Sequence, residues 1–147
     1  MTSANIFNAI KEILQDSSDL SYIDDDNIFA GVRQGLTVFP CIVMEVVGDR
    51  LLSESYPNED RAIGINVIGY IQVYDKDKQI AGDTDTKGVL DIENDIRKAL
   101  SADVTLGLSD VLDTRLLVTT QDIETYPVRG FSINVEVHYR QNRLTRA

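Results

Sequence analysis

The stretch AIGINVIGYIQVY, residues 62–74, carries the longest uninterrupted β signal in the chain. Ile63, Ile65, Val67, Ile71 and Val73 fall on one face of a period-two ladder with Gly69 as the single gap. Ala62, Gly64, Asn66, Ile68, Tyr70, Gln72 and Tyr74 make the other face. A second stretch repeats the pattern: Phe131, Ile133, Val135, Val137 and Tyr139 alternate with Ser132, Asn134, Glu136, His138 and Arg140. That is the signature of a strand half buried against helices and half wet. At about 3.3 Å per residue, residues 62–74 would reach roughly 43 Å, so such strands are expected to overhang a domain of this size.

Working outward from these two runs, Ser3 to Gln15 reads as a helix, with Ile6, Ile10, Ile13 and Leu14 at helical spacing and Phe7 widening the stripe. Asp16 to Asn27 is a polar loop with local order around Leu20, Tyr22 and Ile23. Ile28 to Arg33 reads as a short strand, and Cys41 to Val47, CIVMEVV, as a strand covered on both faces except at Glu45. Gly48 to Arg61 reads as a polar connection with a turn at Tyr56-Pro57-Asn58, long for a simple hairpin. Asp75 to Asp83 connects to a second helix over Thr84 to Ser101, buried through Val89, Ile92, Ile96 and Leu100 and capped by Asp83 or Thr84. Leu112 to Gln121 and Val128 to Arg140 complete the strands. The spacing predicts one α+β domain over 1–147, a mainly antiparallel sheet of long strands packed by two helices, with a short basic tail at 141–147.

The totals narrow the function classes. A chain of 147 residues with 43% hydrophobic and 26% charged residues can bury a real core without staples. No apolar run approaches the roughly 18 residues of a membrane span, the N-terminus lacks a signal-peptide layout, and Cys41 is the single cysteine. These features lead to the expectation of a protein without a membrane partner, made in a reducing cytoplasm. A formal charge of -10 argues against a protein that grips nucleic-acid phosphates, since such binding depends on clustered Lys and Arg.

No catalytic constellation stands out. His138 is the only histidine, with no second His or Cys pair to build a metal site around it, and Cys41 sits in an apolar strand where a thiol behaves as a small hydrophobe. The run DTDTKG at 83–88 begins like a calcium loop, but Lys87 takes a ligand position and Asn94 stands where the bidentate Glu belongs; capping explains the same residues. No metal, cofactor or catalytic residue is therefore expected. The charges that stand out are Arg140, Arg143 and Arg146, three arginines near the end with no acid among them. Two readings stand, a frayed soluble tail or an arm that docks on an acidic neighbour, with Asp24, Asp25 and Asp26 as the candidate acids on another copy.

The order of elements, the long strand 62–74 leading through a polar loop into the helix, and the closing GFSINVEVHYRQNR at 130–143 together resemble the tail terminator, or tail completion, proteins of long-tailed bacteriophages. The resemblance covers nearly the whole chain. It implies a non-enzymatic virion protein, assembled in the host cytoplasm, that forms a hexameric ring with copies of itself. Such a ring caps the tail tube protein, ends tube polymerisation and presents a docking surface to the head-tail connector protein. It also implies that DNA passes through the ring without specific binding, which suits an acidic subunit. The competing readings are a related head-tail joining or tail tube subunit, and a small cytoplasmic enzyme whose site assembles only in three dimensions.

Overall fold

Fifteen consecutive antiparallel pairs join β3 (Asn58–Gln72) to β5 (Val128–Asn142), from Asn58 opposite Asn142 to Gln72 opposite Val128, without a break in register. This inner pair is the spine of the protein, seen in a computed structural model that describes residues 3–31 and 38–144, with the side chains of 118–125 outside that description. The two stretches that alternate most cleanly in the sequence are thus each other's partners. On one side of the spine lies β2 (Cys41–Ser55), on the other β4 (Val111–Thr125), both antiparallel to their neighbours. A three-residue strand, β1 (Ile28–Ala30), runs parallel to β2 only at Ile42 to Met44, and the sheet order is β1-β2-β3-β5-β4. Arg33, the expected end of that short strand, lies outside the described residues.

The helices cover one face. α1 (Ser3–Asp16) buries Ile6, Ile10 and Leu14, as its spacing predicts. α3 (Val89–Ser101) buries Val89, Ile92, Ile96, Ala99 and Leu100. α3 packs on β3 and β5 while α1 packs on α3 and β1, and both share one core with Ile63, Ile65, Val67, Ile133, Val135 and Val137. Gly69, the gap in the apolar row of β3, is where α3 comes closest. A Cβ there would stand 2.9 Å from Cδ1 of Ile92, so the side chain missing from the strand is supplied by the helix.

Several local readings change. The stretch 48–61 is not a loop: β2 runs through Ser55, turns at Tyr56-Pro57 and returns as β3 from Asn58. Val46 and Val47 are each 57% exposed, because β1 ends beside Met44 and leaves the rest of β2 bare. The second long helix starts at Val89 rather than Thr84. Asp83 caps a tight loop before it, its Oδ1 accepting from the amides of Asp85 (2.9 Å) and Thr86 (2.8 Å), while Asp91 accepts from the Gly88 amide (2.9 Å) at the helix start. A four-residue helix, α2 (Lys76–Gln79), fills the connection before that loop. β5 also continues through Asn142, so the first two residues of the expected tail belong to the sheet.

Val67 and Val135 have no exposed surface, and an unpaired carboxylate at either site costs several kcal/mol out of the about 5–15 available to a domain. Val67→Asp and Val135→Asp are each expected to abolish cooperative thermal unfolding, followed by circular dichroism; melts like the wild type would mean that this face is not the core. Glycine positions give a second check. Gly88→Ala places a Cβ 2.4 Å from the Ile80 carbonyl oxygen, which is backbone, whereas Gly69→Ala meets the movable end of Ile92. Gly88→Ala is therefore expected to lower Tm more than Gly69→Ala, and the reverse order would contradict this packing.

Candidate functional site

The outer strand β2 stands bare beyond Glu45, and there the chain offers surface to others, while β3 and β5 stay buried or half-buried almost to their ends. β2 is exposed at every residue from Val46 to Ser55, and among the described residues nothing pairs with its outer edge beyond Met44. β4 forms the opposite edge and, among the described residues, pairs only with β5. Among the described residues, an open row of backbone N–H and C=O groups on both sides makes this end of the sheet a two-edged blade.

Charges tie the blade together. Arg140 lies directly opposite Asp60 on β3 and holds it through Nε at 2.8 Å and Nη2 at 3.2 Å. Arg143 donates its backbone amide to the Pro57 carbonyl (2.8 Å), forms an ion pair with Glu54 and reaches Glu59 at 3.8 Å. Two of the three arginines singled out in the sequence thus clamp the hairpin tip of their own chain, and Arg146 lies outside the described residues. On the outer face, Glu136 receives Arg50 (3.1 Å) and His138 Nε2 (2.7 Å), and Asp113 receives Arg115 (2.9 Å). On the helix side, Asp49 accepts from the Tyr139 hydroxyl (2.6 Å) and from Arg61 Nε (3.1 Å). Burial, then the Asp49 bond, pushes the Tyr139 hydroxyl up to about 12, so it stays a donor.

Asp24, Asp25 and Asp26 are exposed around the turn before β1, at the other end of the sheet. β1 pairs with β2 at Ile42, opposite Gly69, while Arg140 lies across from Asp60, nine residues further along β3. The acidic and basic clusters are therefore on the order of 30 Å apart within one chain. The same ruler separates the two residues a small enzyme would need. Cys41 sits opposite Tyr70 and His138 opposite Ala62, roughly 26 Å apart along β3, and burial pushes the fully buried Cys41 thiol up to about 11.

A cleft of about 250 Å³ beyond the end of β3 is lined by Tyr22, Phe39, Pro40, Ile71, Val73 and Lys87, among others. Its polar groups face each other. The Tyr22 hydroxyl donates to Asp95 Oδ2 (2.7 Å), and Lys87 Nζ reaches the same oxygen (3.3 Å) while lying 4.9 Å from the Tyr22 ring centroid. Burial and then this bond raise the Tyr22 hydroxyl above its ordinary value. The trio pins the 83–88 loop and the turn at Leu20 onto α3.

The class defined by these features is an α+β fold of two long hairpins paired through their inner strands, with helices on one face. No known family model matches the chain, and no curated protein matches it. Among solved structures, the fold is shared with a chain of the virion of native gene transfer agent (GTA) particle, at 8% identity over 91% of this chain and 93% of that one, with a TM-score of 0.59.

The ion pairs of the blade make its order dependent on pH. Asp60 is held below the usual carboxylate range by its bond from Arg140, Glu136 by His138 and Arg50, and Asp113 by Arg115. Groups with depressed folded values stabilise the native state above their unfolded values, near pH 4, and that contribution is lost as pH falls through the folded values. Amide exchange at 53–60 and 136–142 is therefore expected to accelerate as pH falls from about 5 to about 2 more than exchange at 63–69, once the intrinsic pH dependence is removed. In a carboxyl NMR titration, Arg140→Ala should return Asp60 to the ordinary range; an unchanged Asp60 would mean the clamp is absent in solution.

Proposed function

We propose that this chain is a structural protein of a phage-type virion, acting as a ring-forming tail terminator. The observation that carries this reading is the fold shared almost end to end with a chain of a gene transfer agent virion. It is supported by the shape: one sheet whose outer strand β2 is bare from Val46 on, with an open edge on each side among the described residues. A contact from one edge to the other is head-to-tail, and such contacts close into a ring when the rotation divides the circle. Six copies would cap the tail tube, stop its growth and present the opposite surface to the head-tail connector. No chemistry is required of any residue.

The charge of the chain fits this role. At a net -10, free subunits repel one another, so the ring forms where the tube end supplies further contacts, in the host cytoplasm. Once assembled, an acidic ring lets DNA pass without holding it. The related readings, a tail tube or head-tail joining subunit, share the sheet and differ in where it binds.

The test is to add the purified chain to tail tubes and count its copies by electron microscopy. A single six-fold ring at the tube end, with no further elongation, is the expected result. Copies stacked along the tube would make the chain a tube subunit, binding to the head portal alone would make it a joining protein, and no binding to either would overturn the virion reading.

A further inference from the structure

The breaks in the sheet fall only on its outer strands. The inner pair β3–β5 runs through all its residues in register, whereas β2 has an extra residue at Val47, between Val46 and Gly48, and another at Leu52, between Leu51 and Ser53. β4 has one at Leu112, between Val111 and Asp113, and a second irregularity after Leu117. A bulge kinks the strand and ends regular pairing, which is a common way to blunt an open edge. Between its two breaks each edge strand keeps one short window, Gly48–Leu51 on β2 and Asp113–Leu117 on β4; β2 is also regular over Cys41–Val46, where β1 covers part of its edge, and β4 over Gln121–Thr125.

The windows overlap in height. Arg50 is opposite Ala62, Ala62 opposite His138, and His138 opposite Asp113, so Arg50 and Asp113 occupy one rung of the sheet at its two ends and point to the same face. Gly48 shares a rung with Arg115 by the same path through Gly64 and Glu136, and the small glycine leaves room for the longer side chain. Because each neighbour in the order β2-β3-β5-β4 is antiparallel to the next, β2 of one copy placed beside β4 of another in the same sheet direction is also antiparallel.

We infer that Gly48–Arg50 of one copy pairs with Asp113–Arg115 of the next, with Arg50 of the first set against Asp113 of the second, and that the bulges at Val47, Leu52 and Leu112 keep this pairing short. The inference rests on the ring reading for the identity of the occupant, a second copy of this chain. Charge complementarity supports it: Arg50 and Asp113 keep 62% and 38% of their side-chain surface in water, so each has room for a partner besides its own-chain one. The shortness of the window makes each contact weak, so the free chain does not zip into fibres.

Within one chain the two edges are three strand spacings apart, roughly 14 Å, beyond the reach of a disulfide. The variant Arg50→Cys/Asp113→Cys is therefore expected to give a ladder of intermolecular disulfides on mild oxidation, free at high concentration or on tail tubes. Arg50→Cys/Leu117→Cys, offset by roughly 13 Å on the same face, should not. Separately, Arg50→Glu or Asp113→Lys should cut ring occupancy on tubes by roughly fivefold or more, and the double charge swap should restore it. Rescue is diagnostic because the two sites cannot meet within one chain; circular dichroism melts confirm that each variant folds. A missing 50/113 ladder, an equal ladder from 50/117, or no rescue overturns the inference. A 50/113 ladder without rings on tubes leaves this contact standing and removes the tail role, whereas rings indifferent to the charge swap keep the tail role and remove this contact.

Discussion

The structure depends on the unbroken antiparallel pairing of β3 with β5. Because that pair has no bulge, its side chains keep strict alternation over its length, and one face can place Ile63, Ile65, Val67, Ile133, Val135 and Val137 in a single row. A slip by one residue would turn the row to the other face. The helices dock on this row, with Ile92 of α3 seated over Gly69, and the core follows. The outer strands can bend and bulge because the spine already fixes register.

Helices thirteen or fourteen residues long span about 20 Å, while strands of fifteen reach roughly 50 Å. The difference in rise per residue leaves part of the sheet without a helical cover. Toward the hairpin tip burial falls to Glu59 and Tyr139, and cross-strand ion pairs hold the rest: Arg140 with Asp60, Arg143 with Glu54, Arg50 with Glu136. Exposed pairs are individually weak, so the blade is ordered by many of them together with its backbone ladder. Such a region is suited to being completed by a neighbour.

The bulge at Val47 shows how one inserted residue changes chemistry. In an unbroken β2, Asp49 would share a face with Val43 and Glu45. The extra residue moves it to the other face, opposite Ile63, where it meets the Tyr139 hydroxyl and Arg61. Arg50 is moved in turn to the face of Glu136. The polar contacts on both sides of the blade follow from that change of phase.

The sequence by itself determined the elements whose burial is periodic. The α+β class, the stripes of α1 and α3, and the two inner strands were legible because a residue facing the core must be apolar at the period of its own backbone. Helix starts and the stretch 48–61 were not legible. Asp83 and Thr84 suit a cap wherever a helix begins, and only the close approach of Ile80 to Gly88 decides that it begins at Val89. Residues 48–55 carry no alternation because two bulges shift their phase and no helix covers them, so a strand there looks like a loop. The arginines were visible as a cluster, but their partners were not. Arg140 and Arg143 meet Asp60 and Glu54 across the sheet, and charges that distant in sequence become neighbours only once register is set. The open edges are likewise a property of strand order, which no local pattern encodes.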